Sequence, residues 1–280
     1  MRLMVTGAGG MLGRDVVRAA EAAGHDVVGL AHGDLDVTDA GAVRAAVAVA
    51  APGAVVNCAA WTDVDGAESA EDAATRVNGP GAGNVAAAAV GAGAGVVHVS
   101  SDYVFDGTKD APYVESDPTA PVSAYGRGKL AGELAVLEGE GTRAVVRSSW
   151  LFGPGGPNFV ETMLRLAGER GDVRVVGDQI GCPTYTGHLA PALVALAAGG
   201  ATGLFHVAGT GAASWHGFAR EIFTASGVAV ALHETTTAEF PRPAPRPAFS
   251  VLASERRDAP RLPPWQEGLA TYLAERKVTA

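Results

Sequence analysis

Cysteine is scarce: Cys58 and Cys182 are the only two in 280 residues, too few for a disulfide framework. No apolar run reaches the ~18 residues that a membrane span needs. No charged leader, apolar stretch and cleavage site precede the opening Met1-Arg2-Leu3-Met4-Val5-Thr6-Gly7, so a cytoplasmic protein is expected. Basic charge is in deficit, with 21 Lys+Arg against 30 Asp+Glu and a formal net charge of −9. That balance argues against a protein that binds nucleic acid by neutralising phosphate. It leaves room for one anionic small ligand held by a local cluster. No internal repeat or charge block is visible. Apolar residues make up 48% of the chain, which excludes a disordered chain and allows a sizeable core.

What is present is an alternation of strands and helices. Short runs at 3–6, 26–30, 54–58, 95–100 and 143–149 are apolar nearly throughout, as suits parallel strands covered on both faces. Between them the apolar residues take helical spacing: Leu12, Val16, Ala19 and Ala20; Val43, Val47 and Ala50; Val77, Val85, Ala88 and Ala89; Leu130, Leu134 and Leu137. This predicts an α/β protein, a Rossmann-type doubly wound parallel sheet. Cys58, closing the third run, reads as core packing.

After Trp150 the pattern changes, and Pro154-Gly155-Gly156-Pro157 breaks the chain. Helix-like segments follow near 159–169, 188–198, 215–225 and 265–275, with strand-like runs at 173–176 and 204–207. The segment Pro241-Arg242-Pro243-Ala244-Pro245-Arg246-Pro247 is a stiff extended loop. The expected organisation is a dinucleotide-binding domain over 1–152 and mainly a smaller α/β substrate-binding domain over 153–280. The two interleave if a late strand returns to the main sheet.

Gly7-Ala8-Gly9-Gly10-Met11-Leu12-Gly13 follows the first strand and opens the first helix. Gly7 allows a tight turn, Gly10 lets backbone approach a pyrophosphate, and Gly13 lets helix pack on strand. The helix N-terminus then offers free N–H groups to the anion. The second strand ends in Leu30-Ala31-His32-Gly33, without the carboxylate that NAD enzymes offer the ribose diol. That leans toward NADP with His32 near the 2′-phosphate, and Asp36-Val37 is placed beside the adenine.

Tyr125 and Lys129 stand at i and i+4, hence on one helix face. A tyrosine titrates near ~10, and a neighbouring ammonium is expected to lower that value. The pair could then exchange a proton with a carbonyl or alcohol while a nicotinamide moves hydride. Ser101 ends the strand run at 95–100, where ligands of open α/β sheets bind, and its hydroxyl suits the same carbonyl oxygen. A glycine turn, a strand-end serine, a tyrosine and a lysine four later are the parts of a short-chain dehydrogenase/reductase.

Further stretches sharpen the resemblance. They are Val56-Asn57-Cys58-Ala59-Ala60-Trp61-Thr62-Asp63-Val64-Asp65 with Ala67-Glu68, Asn78, Ser100-Ser101-Asp102-Tyr103-Val104-Phe105-Asp106-Gly107, Arg147-Ser148-Ser149-Trp150-Leu151-Phe152, Asp178-Gln179 with Pro183-Thr184, and Arg246-Pro247 before Ser250 and Leu252. Over nearly its whole length the chain resembles the dTDP-4-dehydrorhamnose reductase family, extended short-chain dehydrogenase/reductases that act on nucleotide sugars. The resemblance implies hydride transfer from NADPH or NADH to C4 of a dTDP-4-keto-6-deoxyhexose, giving dTDP-L-rhamnose or a related deoxysugar. Tyr125 would supply the proton, Lys129 would lower its pKa and hold the nicotinamide ribose, and Ser101 would polarise the ketone. Ala59, Ala60 and Thr62 would line the cofactor cleft. Tyr103, Trp150, Asn158 and Phe159 would shape the sugar pocket, and Arg246 would meet the pyrophosphate.

Some members bind a divalent metal at a dimer contact. Asp15 could contribute here, but Gly187-His188 stands where another carboxylate belongs, so no metal is expected. The expected partner is the nucleotide sugar, with a homodimer as the candidate assembly. A dehydratase on this fold would want Asp-Glu after the serine, whereas Tyr103 follows Asp102. A nucleotide-sugar 4-epimerase shares the Ser/Tyr/Lys set. A catalytically silent regulatory subunit, like the β subunit of methionine adenosyltransferase, shares the fold.

Overall fold

The computed structural model describes residues 1–279, with side chains described to residue 276. The first half runs β1 (Arg2–Thr6), α1 (Met11–Ala22), β2 (Asp26–Leu30), α2 (Ala40–Ala50), β3 (Ala54–Asn57), α3 (Val64–Ser69), α4 (Glu71–Arg76), α5 (Ala82–Gly91), β4 (Gly95–Ser101), α6 (Ala124–Leu137) and β5 (Arg143–Ser148). The second half continues with β6 (Leu151–Phe152), α7 (Phe159–Glu169), β7 (Asp172–Val176), β8 (Ile180–Gly181), β9 (Thr184–Tyr185), α8 (Thr186–Ala198), β10 (Gly203–His206), β11 (Ala213–Ser214), α9 (Trp215–Ser226), β12 (Ala231–Thr235) and α10 (Trp265–Thr279).

Six strands form one parallel sheet in the order β10-β5-β4-β3-β1-β2. The continuous apolar character of these strands has a simple cause. Alternate residues serve two different cores. Leu3, Val5, Val56, Val97 and Val146 pack under α1 and α8, while Met4, Val55, Val96 and Val145 pack under α2 and α5. The order runs outward in both directions from the β1–β3 pair, which is the doubly wound arrangement.

The late strand β10 lies parallel to β5, with Phe205 opposite Val146, and α8 packs against α1. A cut at residue 152 would therefore split the main sheet. What remains of the second half has its own core around Phe152, Val160, Phe218, Ile222 and Leu269, drawn from α7, α9 and α10 with β7 beside them.

The helical spacing from Val77 to Ala89 lies in one unbroken helical stretch that is not uniform. A π-helical turn at Val77–Gly81 carries Pro80 and precedes α5. Such a turn is a known device at functional sites, and here it buries Asn78 completely. The Asn78 side chain accepts from Trp61 N–H at 2.8 Å and donates to the Trp61 carbonyl at 3.1 Å. It thereby fixes the loop after β3. Among the described residues no helix is long and apolar enough to cross a membrane.

Candidate active site

The glycine turn is built by close approach. Gly7 has φ +68°, and a Cβ there would lie 2.6 Å from the Ala59 nitrogen. A Cβ on Gly13 would lie 2.2 Å from the Gly7 carbonyl oxygen. A side chain at Gly7 would drive into the loop after β3, and one at Gly13 would push α1 off the turn after β1. Gly10 caps α1 through its backbone alone, with no side-chain cap and no acidic residue in the first turn. The free N–H groups and the positive end of the helix dipole therefore stay available to an anion.

Gly9 and Gly10 are exposed, Met11, Ala59 and Ala60 are partly buried, and Thr62 is exposed. This small-residue cradle fits a dinucleotide. The side chains of two residues expected at the cofactor, Leu12 and Val37, are buried in the two cores, which leaves only their backbone facing outward. Beyond β2, His32 is exposed. The carboxylates after it fold back on their own loop: Asp34 accepts from Ala31 N–H at 2.9 Å, and Asp36 accepts from Thr38 N–H at 2.9 Å and from its hydroxyl at 2.8 Å.

Ser101 ends β4, and Tyr125 sits in the first turn of α6. Three contacts set where that turn lies. Ser123 Oγ accepts from Gly126 N–H at 3.1 Å, and Glu68 of α3 accepts from Ala124 N–H at 2.8 Å. At Gly126 a Cβ would come within 2.2 Å of the Tyr103 carbonyl oxygen, so the chain after Tyr125 closes on the loop after β4 only because that residue is glycine. The Tyr125 ring meets Tyr103 edge-on, with centroids 5.7 Å apart. Burial pushes the Tyr125 phenol up to about 12; the nearby Ser101 hydroxyl pulls the other way, and the Asp102 carboxylate adds to the rise.

Lys129 departs from expectation. Its Nζ donates to the Val99 carbonyl at 2.7 Å and lies 3.5 Å from His98 Nε2. Burial pulls its pKa down to about 8, against the Glu133 carboxylate and the Cys58 thiol. Its charge acts on His98 and Cys58. The groups that act on Tyr125 are burial, Ser101 and Asp102. The ammonium ties α6 to β4, and burial holds the phenol above its ordinary value.

Arg246 is not a solvated loop residue. Its Nη1 donates to Asp65 at 3.0 Å and to the Ala244 carbonyl at 2.8 Å. Asp65, on α3, binds Arg242 and the Ala244 N–H as well. Burial would raise its pKa, but Arg246, the Ala244 N–H and Arg242 outweigh that and hold it at about 2. One carboxylate thus fastens the proline-rich segment to the cofactor half. Downstream, Ser250 Oγ donates to Asp102 at 2.6 Å.

Trp150 follows β5 with φ +47°, a costly conformation for a bulky residue. Its ring stacks on Trp215 at 3.5 Å with 4° between planes, and Phe159 lies 4.5 Å from Trp215. Asn158 falls outside this wall. Its Oδ1 caps α7 at Glu161 N–H (3.1 Å), and its Nδ2 donates to Gly153 O at 2.8 Å and lies 3.3 Å from Tyr272 Oη. The amide is used up in holding the 153–158 loop, so it is removed from the sugar-pocket set. Asp15 is buried against Arg18 with Oδ2 unpartnered, and His188 packs edge-on against Tyr185.

Trp215, Asp65 and Asp102 contact candidate site residues: Trp215 stacks on Trp150, Asp65 binds Arg246, and Asp102 accepts from Ser101. Only the folded chain shows what the carboxylates of Asp65 and Asp102 hold.

The family described as RmlD substrate binding domain matches residues 1–278. The dTDP-4-dehydrorhamnose reductase of Streptomyces griseus is 45% identical over 278 residues, covering 96% of this chain and 91% of that protein. The dTDP-4-keto-6-deoxy-D-glucose reductase of Streptomyces niveus is 48% identical over 229 residues, covering 81% and 79%. Among solved structures, a dTDP-4-dehydrorhamnose reductase from Bacillus anthracis in complex with NADP superimposes with a TM-score of 0.95 at 38% identity, covering 98% of this chain and 99% of that one.

Proposed function

Since the chain belongs to the dTDP-4-dehydrorhamnose reductase family, we propose that it reduces the C4 ketone of a dTDP-4-keto-6-deoxyhexose with NADPH. The favoured conversion is dTDP-4-dehydrorhamnose to dTDP-L-rhamnose. The observation that carries this reading is the placement of Ser101 at the carboxyl end of β4 with Tyr125 and Lys129 one turn apart on α6, the Lys129 ammonium bonding the Val99 carbonyl of that same strand.

The turn from Gly7 to Leu12 would hold the dinucleotide pyrophosphate on its backbone N–H groups, with Ala59, Ala60 and Thr62 along the cleft and His32, Asp36 and the Val37 backbone at the adenosine end. When bound, the reduced nicotinamide supplies hydride to the ketone carbon. Tyr125 then gives its proton to the oxygen that becomes the C4 hydroxyl. A phenol held at about 12 remains protonated at neutral pH and still yields its proton to a more basic alkoxide. Ser101 directs its hydroxyl at the same oxygen. Lys129 keeps α6 in register with β4 and is assigned the nicotinamide ribose. Tyr103, Trp150 and Phe159, with Trp215 behind them, offer apolar faces to a deoxysugar, and Arg246 faces its diphosphate. A cytoplasmic location and a homodimeric form complete the proposal.

The test is consumption of NADPH or NADH with dTDP-6-deoxy-L-lyxo-4-hexulose, with the product sugar identified by NMR. The reading expects one cofactor oxidised per new C4 hydroxyl. Inversion without net cofactor oxidation would replace it with an epimerase, and cofactor binding without turnover would replace it with a silent subunit.

A further inference from the structure

Asp102 is 1% exposed, and both its oxygens are occupied by hydroxyls from separate parts of the chain. Ser101 Oγ donates to Oδ1 at 3.0 Å, and Ser250 Oγ donates to Oδ2 at 2.6 Å. A serine hydroxyl has a single hydrogen, and an ionised carboxylate only accepts. While Asp102 is ionised, the hydrogen of Ser101 is therefore committed to it. Ser101 Oγ then offers only lone pairs to its other neighbours, among them the Tyr103 N–H at 3.2 Å. A lone pair cannot polarise a ketone oxygen. A neutral carboxyl carries its own O–H. Donated to Ser101 Oγ, that hydrogen releases the one on Ser101 for a ligand.

We propose that Asp102 is a positioning residue whose protonation sets the donor direction of Ser101, so that only the neutral acid lets Ser101 hydrogen-bond the C4 ketone oxygen. The proposal rests on the reductase reading above. The titratable groups that face Asp102 are Tyr103 beside it, Tyr125 of α6, and Cys182 between β8 and β9. Among the described residues no cation pairs with it: Arg246 is taken by Asp65, and Lys129 by Val99. Burial lifts the carboxyl to about 7, against the two serine hydroxyls that favour its charge. Both protonation states are thus within reach near neutrality.

The test is the pH profile of kcat for NADPH oxidation with saturating dTDP-6-deoxy-L-lyxo-4-hexulose. If the ionised form is inactive, one ionisation near 7 predicts a loss of about 30-fold between pH 6 and 8.5 in the wild type. Asp102→Asn presents a permanent N–H donor, so it should lose that descending limb and exceed the wild type at pH 8.5. Ser250→Ala removes a hydrogen bond that favours the carboxylate, so it should move the limb to higher pH. NADPH affinity and thermal midpoint serve as controls for a folded site. A limb unchanged in both variants would overturn the proposal, as would a kcat for Asp102→Asn lowered equally at every pH. Absence of turnover in the wild type at all pH values would instead overturn the reductase reading, and this inference with it.

Discussion

The ammonium of Lys129 donates to the carbonyl of Val99 at 2.7 Å, two residues before Ser101 on the same strand. The side chain is 2% exposed, and the bond couples the helix that carries Tyr125 to the strand that carries Ser101. The lysine thus does mechanical work, whatever it does for a ribose.

That placement predicts a pH-dependent stability. The lysine binds its proton up to 10.5 when unfolded but only to about 8 when folded. Between those values the unfolded chain holds more protons, so this group makes stability rise with pH, and its cost is fully present below about 8. Above 9 the buried thiols of Cys58 and Cys182 act in the opposite sense. The rise should therefore show between pH 8 and 9 in urea unfolding and be missing in Lys129→Met. The same variant should lose turnover and NADPH affinity together.

Asp65 should matter for the substrate and little for the fold. It is fastened to Arg242 and Arg246, and partly exposed ion pairs contribute about 0–1 kcal/mol. Asp65→Asn should leave the thermal midpoint nearly unchanged while freeing the proline-rich segment. The KM for the dTDP sugar should rise about tenfold, a loss of ~1.4 kcal/mol in binding, with NADPH affinity unaltered. The carboxyl is held at about 2 against an ordinary 3.8. The tie is therefore complete above about 4 and lost only as pH falls toward 2, so this group gives KM no slope between pH 5 and 8. Steady-state kinetics across that range check both statements.

Trp215 stacks flat on the strained Trp150. Removing it takes away the support that holds Trp150 in the left-handed region. Trp215→Ala should raise the KM for the sugar more than it lowers kcat, and should change the intrinsic fluorescence response to substrate. An unchanged KM would remove the aromatic wall from the sugar site.

The sheet was readable from residues because its strands are buried on both faces, and a continuous apolar run needs no partner to be recognised. The ends of β2 and α7 fall where spacing puts them. The position of Ser101 at the end of β4 and of Tyr125 and Lys129 one turn apart on α6 was readable because strand and helix geometry fix local neighbours. What escaped depends on contacts between distant segments. Strands β6, β8, β9 and β11 have two residues each, too few to carry a period. The π turn at Val77–Gly81 shares the apolar spacing of an ordinary helix. Asn158 looks like a polar pocket residue in sequence, and only the loop carbonyls around it show that its amide is used. The pairing of Asp65 with Arg246 spans 181 residues, and the burial that depresses Lys129 leaves no local trace.

The most direct test of the account is Tyr125→Phe in single turnover, with bound NADPH and dTDP-6-deoxy-L-lyxo-4-hexulose. Loss of the proton donor should slow NADPH oxidation by about 10²–10⁴ while the NADPH dissociation constant stays within about twofold of the wild type, under ~0.4 kcal/mol. Oxidation at the wild-type rate in that variant would contradict the assignment of the proton to Tyr125.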